Sequence, residues 1–189
     1  ATAETYRRIG VDLLSRPADL TAIYFEFIDA MGHLFMPYAP PRRPGVSVAD
    51  FDRYRDAVKI GYVEMDRIIG SLVAAAGDST LVLIASDHGF LSGDRRPTGS
   101  AAMDAGQAAR WHRDPGVLVM NGPGVRSGAR LEHASVMDIA PTLLHLAGLP
   151  VSQEMEGKVL VDALTPADLA LHPVRQIDRY RLAPECWIP

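Results

Sequence analysis

Residues 79 to 90 read STLVLIASDHGF, and the fold turns on how they are read. The stretch from Leu81 to Ala85 is apolar without alternation, the pattern of a strand covered on both faces of a parallel sheet. It runs straight into Asp87 and His88, two groups that are costly in apolar surroundings unless something pairs with them. GVLVMNG, residues 116 to 122, is a second run of the same kind. LTAIYFEFI, residues 20 to 28, is rich in aromatic and branched side chains and reads as a further strand. Asp29 follows it directly, with His33 four positions on.

Helical patterns separate these runs. AETYRRIGVDLLSRP is a short helix stopped by Pro17, and the proline-dense MPYAPPRRPG is a loop. From Val48 to Ala76 the sequence predicts one long helix, with Ser47 as its cap and Gly77 as its stop. Its apolar positions Phe51, Tyr54, Val58, Tyr62, Met65, Ile69, Leu72 and Val73 recur every three or four residues. SVMDIAPTLLHLAG is another helix, with Ser135 and Asp138 spaced as a capping box and Pro141 expected to kink or restart it. The periodicity after Val151 is too weak to assign elements. Strands alternating with helices give an α/β class with a mostly parallel sheet between helical layers, a three-layer α/β/α sandwich. Residues 1–189 are expected to form one domain.

The 189 residues carry a formal charge of −4, which argues against a nucleic-acid surface. No apolar run approaches the roughly 18 residues of a membrane span. The single cysteine, Cys186, excludes an internal disulfide and leaves the compartment unassigned. The opening ATAETYRRIG has no initiator Met and no signal-peptide pattern, so the chain is expected to be part of something longer.

In parallel sheets ligands sit beyond the carboxyl ends of the strands. That rule gathers Asp29, His33, Asp87 and His88 on one edge, and His112 lies just before the 116–122 strand. Asp29, His33 and His112 suit a catalytic zinc site, which takes three protein ligands and leaves one position open. Asp87 and His88 would begin a second. Each group also has a plainer reading: Asp87 as a turn cap, His88 as its hydrogen-bonded neighbour, His112 as a half-buried loop histidine. It is their common placement that favours metal. His133, His145 and His172 lack that placement, and His145 reads as a packing or surface residue. Nitrogen and oxygen ligands favour zinc, with manganese or iron as alternatives.

The ordered set Asp-x-x-x-His (29–33), SDHGF (86–90), His112 before GVLVMNGPGV, and DIAPTLLHLAGLP (138–150) resembles the alkaline phosphatase superfamily. Its closest branch is the type I phosphodiesterase/nucleotide pyrophosphatase family, and the likeness covers about residues 5 to 160. It implies an alkaline-phosphatase-like sandwich, incomplete here, and two divalent metals, one on Asp29, His33 and His112, the other on Asp87 and His88. It also implies a small-molecule phosphoester substrate. The nucleophilic Thr or Ser and a further metal-binding aspartate would lie upstream, in a missing amino-terminal half. No catalytic nucleophile is therefore expected in this chain, since Ser86, Ser92 and Thr98 carry no nucleophile motif. Asp138 becomes a cap, and EGKVL (156–160) a packing turn. The resemblance implies that one metal activates the hydroxyl for attack on phosphorus while the other stabilises the leaving oxygen.

Sulfatase, phosphonate and phosphomonoester hydrolases of the same superfamily remain as alternatives. So do a non-catalytic metal-binding module and a purely structural α/β domain. The pairs Arg42–Arg43 and Arg95–Arg96 read first as solvated loop charges and second as contacts for anionic substrate groups. LSGDRRPTGSAAMDAGQAARW (91–111) is expected to order only with substrate or metal.

Overall fold

In the computed structural model, which describes residues 2–98 and 105–181 (the side chains of 105 and 106 excepted), the chain divides into two compact units. Cys186 and the middle of the 91–111 segment lie outside the described residues.

The first unit comprises Ala1–Thr80 and Ser86–Val117. Helix α1 spans Thr2–Leu14. Gly10 is its one buried residue, and a Cβ there would lie 2.6 Å from Ile23 Cδ1 and 2.8 Å from Leu72 Cδ2. The missing side chain is what lets α1 sit this close to its neighbours. Residues 20–26 behave as extended chain, with Thr21, Ile23 and Phe25 half-buried and Ala22, Tyr24 and Glu26 exposed. They are nevertheless not a strand, because no strand among the described residues pairs with them. Alternation marks extended backbone, but a strand also needs a ladder partner. Helix α2 begins immediately afterwards, Phe27–Phe35.

The single long helix expected over 48–76 is two: α3 (Val48–Tyr54) and α4 (Ala57–Ala76). Ser47 caps α3 as expected, accepting from Asp50 N at 3.0 Å, and Gly77 ends α4 at φ 75°. No Gly or Pro marks the break at Arg55–Asp56, so nothing in the pattern signals it. The buried stripe of α4 is Gly61, Met65 and Ile68, while Tyr62 is exposed. Gly61 lies under Met31 of α2, so α4 supports both α1 and α2. Helix α5 (Ala105–Ala108) leads to Trp111, and strand β2 (Gly89–Phe90) pairs antiparallel with β3 (His112–Arg113).

The second unit comprises Leu81–Ala85 and Leu118–Pro189. Strands β1 (Val82–Ser86) and β4 (Val117–Asn121) pair with each other. Neither is covered on both faces: β4 alternates exposed and half-buried, and β1 ends exposed. Continuous apolarity thus overstated their burial, since a two-stranded sheet leaves a face open. The capping box is present, with Met137 N donating to Ser135 Oγ and Ser135 N to Asp138 Oδ2. Helix α6 follows as Ile139–Leu146, and Pro141 does not break it. It lies in the first turn, where its missing N–H has no intrahelical partner to lose.

Asp138 is buried and its second oxygen accepts from Lys158 N at 2.8 Å, so both oxygens serve structure. Thr142, fully buried, donates to Asp138 O and accepts from Leu160 N at 3.0 Å. These bonds hold EGKVL against the helix as the expected packing turn. The region after Val151 adds β5 (Val151–Ser152), α7 (Pro166–Leu171) and β6 (Gln176–Ile177), with β5 and β6 parallel. Val151, Val159 and Leu164 form its core.

The class is mixed helix and strand, consistent with α/β. The described residues form three two-stranded sheets rather than one mostly parallel sheet.

Candidate metal centre

A spacing of four places Asp29 and His33 one turn apart on the same face of α2, not at a strand end as the sequence suggested. Asp29 is the third residue of the helix, where free backbone N–H groups favour a carboxylate. The antiparallel pair β2–β3 brings in the rest. Phe90 is registered opposite His112, and His88 immediately precedes β2.

The imidazoles converge on one oxygen. Asp29 Oδ1 lies 3.4 Å from His33 Nε2, 3.5 Å from His88 Nε2 and 3.9 Å from His112 Nε2. His112 Nε2 and His33 Nε2 are 3.1 Å apart. Asp29 Oδ1 is itself buried without a hydrogen-bond partner among the described residues. Ligands at about 2.0–2.1 Å around a tetrahedral zinc are about 3.3 Å from one another. The observed separations scatter around that edge length. An orphaned carboxylate oxygen ringed by nitrogens at this spacing fits a divalent cation, and Asp29, His33 and His112 form a group able to hold one.

Tautomer and charge agree with this. His88 Nδ1 lies 3.1 Å from Gly89 O, a contact that assigns the proton to Nδ1 and leaves the Nε2 lone pair facing Asp29. Burial, and then the neighbouring His88 and His33, push the His112 imidazole below its ordinary pKa, while Asp29 and Asp87 pull the other way more weakly. The neutral ring, the form that binds metal, is thereby favoured.

Phe90 is the residue that sequence reasoning passed over. Its ring packs edge-on to His33 (centroids 4.9 Å apart), His112 (5.4 Å) and His88 (5.7 Å). Its place in SDHGF was visible, but its role needed the β2–β3 register. Gly32 makes room for it: a Cβ at Gly32 would lie 2.6 Å from the ring. His88 and His112 stack face to face, centroids 3.6 Å apart.

Asp87 stands differently. Its side chain is 80% exposed, with Oδ1 3.8 Å from His88 Nε2 and accepting from His88 N at 3.1 Å. Asp87 and His88 therefore remain a pair, while His88 Nε2 also faces the Asp29 group. His145 is buried in α6, His133 lies at φ 59°, and His172 is exposed beside Asp168.

A family model described as type I phosphodiesterase / nucleotide pyrophosphatase matches residues 2–149. The chain belongs to this family. The matched span includes Asp29, His33, Asp87, His88, Phe90 and His112, together with the Asp138 cap. Among curated relatives, arylsulfatase K of Danio rerio is 34% identical over 108 residues, covering 54% of this chain and 20% of that protein. The human arylsulfatase K is 29% identical over 120 residues, 60% of this chain and 21% of that protein. A 2,3-bisphosphoglycerate-independent phosphoglycerate mutase of Cereibacter sphaeroides is 36% identical over 104 residues, 53% of this chain and 19% of that protein. The aligned region is thus about a fifth of the length of these relatives. No solved structure matches significantly.

Proposed function

We propose that the intact protein is a metal-dependent hydrolase of phosphate esters, of the phosphodiesterase/nucleotide pyrophosphatase type. The observation that carries this reading is the buried, unpartnered Asp29 Oδ1 with three imidazole nitrogens around it. Family membership supports it, and so do relatives named for sulfate-ester and phosphoglycerate chemistry. In this proposal Asp29, His33 and His112 hold one divalent ion, zinc by ligand type. Asp87 and His88 contribute to a second, completed by an aspartate from an amino-terminal half that also supplies the Thr or Ser nucleophile. That half would complete the alkaline-phosphatase-like sandwich as well. Bound metal would supply charge stabilisation at the oxygens of the ester.

The chain's own residues have definable tasks. Within the Asp29, His33 and His112 set, Asp29 brings one negative charge to two neutral imidazoles, so a divalent ion held there would keep a net positive charge of about one and attract anionic esters. The Gly89 carbonyl fixes the His88 tautomer. Phe90 holds three rings in orientation and excludes water from one side of them.

The sulfatase relatives favour a second reading, a sulfate-ester hydrolase using the same residues. The test is the full-length protein with zinc, assayed on bis(4-nitrophenyl) phosphate, 4-nitrophenyl phosphate and 4-nitrophenyl sulfate. The phosphate diester should turn over fastest, and a chelator should abolish the rate. A fastest rate on the sulfate ester selects the second reading. Absence of turnover on all three rejects both in favour of a non-catalytic module.

A further inference from the structure

A second feature of the first unit is not used by the candidate metal centre, although one of its residues, Trp111, is the chain neighbour of His112. Pro37, Arg43, Pro44, Val46, Arg96, Pro97, Thr98 and Trp111 line a partly open cavity of about 160 Å³. Two arginines reach it, and among the described residues neither guanidinium has a carboxylate within 4.0 Å. Arg96 is 2% exposed. Its donors are spent on backbone: Nε on Gly93 O, Nη1 on the carbonyls of Met36, Pro37 and Ala39, and Nη2 on Pro41 O. It therefore fixes the proline-rich turn after α2 and adds a buried positive charge. Burial first, then the charge of Arg43, lowers its pKa; Asp94 opposes this only weakly.

Arg43 is less committed. Its Nη1 donates to Arg96 O at 3.0 Å and Asp94 O at 3.5 Å, which leaves Nε and Nη2 for something else. Two cations without a carboxylate partner among the described residues line this one small cavity, Arg96 supplying charge and Arg43 charge and open donors, and with the Thr98 hydroxyl and the Trp111 ring on its wall they suit an anion. At about 30 Å³ per water the space holds roughly five waters. That is enough for a carboxylate, sulfate or phosphate group and too little for a nucleoside. Trp111, on the cavity wall, directly precedes His112, and Met36, which packs with Trp111, lies about one turn beyond His33.

We propose that this cavity is a subsite for a non-reacting oxyanion on the same substrate molecule whose ester is cleaved at the metal centre. The substrate is then doubly anionic. This assignment rests on the proposed hydrolase function, whereas anion capture by Arg43 does not. The binding experiment is a calorimetric titration of the full-length Asp29→Asn protein, stripped of metal by a chelator that is then dialysed away, with inorganic phosphate, sulfate and acetate separately. One site should bind, and Arg43→Met should weaken it about tenfold or more. Arg43→Lys, which keeps the charge but not the two-point donor, should weaken it less and serves if the methionine variant fails to fold. Preference for phosphate or sulfate over acetate identifies a tetrahedral anion; the reverse identifies a carboxylate. Absence of binding by all three, or binding indifferent to Arg43→Met, overturns the subsite.

The substrate assignment is read separately, from steady-state kinetics on bis(4-nitrophenyl) phosphate and its 4-carboxyphenyl counterpart. Arg43→Met should raise KM selectively for the carboxylated ester, and equal effects on both esters overturn it. A protein that binds no metal would defeat the hydrolase reading and leave the calorimetric result standing.

Discussion

His112 Nε2 faces His33 Nε2 across 3.1 Å, on strand β3 and helix α2 of the same unit. Between two neutral imidazoles one proton can satisfy only one such contact, and Asp29 Oδ1 is still left without a donor. A shared cation satisfies all three groups at once. The metal-free centre should therefore be a local source of instability.

Asp29→Asn tests that directly. Without metal the variant should be as stable as the parent or more so, by about 1 kcal/mol, because the amide is uncharged and can turn its NH2 donor toward the imidazole nitrogens where the unpaired carboxylate oxygen stood. With zinc the parent should gain melting temperature by mass action, and the variant should gain less because it holds one ion fewer. Thermal melts with zinc and with chelator distinguish the two. Equal gains in both proteins would deny Asp29 a ligand role.

Phe90 is expected to act as a positioning residue. Phe90→Leu should lower zinc affinity about tenfold by loosening three rings, a loss typical of removing support around metal ligands. Gly32→Ala should do the same from the opposite side, since its new methyl would overlap the ring. Competition with a chromophoric chelator reads both affinities. A change in melting temperature without a change in affinity would reduce Phe90 to packing.

The second unit supplies the control. Thr142→Val deletes the hydroxyl that satisfies the Leu160 amide and should cost about 1–3 kcal/mol. Denaturant titration measures the loss, and zinc content per folded chain should stay at the parent value.

Glu4 bonds Arg7 and Arg8, and mainly through the Arg7 bond its carboxyl is held at about 2 instead of 4.5. A depressed carboxyl stabilises the folded state above its unfolded pKa, and that contribution disappears as pH falls through the folded one. The support Glu4 gives α1 should thus be complete above about pH 4.5 and gone below about pH 2. Glu4→Gln should flatten the acid limb of the stability profile between those values. An NMR titration midpoint for Glu4 near 4.5 would refute it.

Helices capped by side chains were legible in the sequence because their signals are local. Ser47, Gly77 and the Ser135–Asp138 box all stand where the pattern places them. The lack of a strand over 20–28 and the open faces of β1 and β4 were not, because strand pairing and sheet coverage depend on partners distant in sequence. Asp29 and His33 illustrate the difference at the site. Their four-residue spacing was noticed, but it describes one turn of α2 and not the end of a strand. The convergence of Asp29, His33 and His112 was expected from an edge-of-sheet rule and is produced instead by a helix facing a β-ribbon. The nearness of His88 to the same oxygen, and the three-ring contact of Phe90, had no local signature.

The most direct measurement is the metal content of the full-length protein and its His112→Ala variant by elemental mass spectrometry, with hydrolysis of bis(4-nitrophenyl) phosphate measured on the same samples. If Asp29, His33 and His112 hold one ion, the variant loses one equivalent of metal and most of its rate. An unchanged metal content together with an unchanged rate would contradict the account.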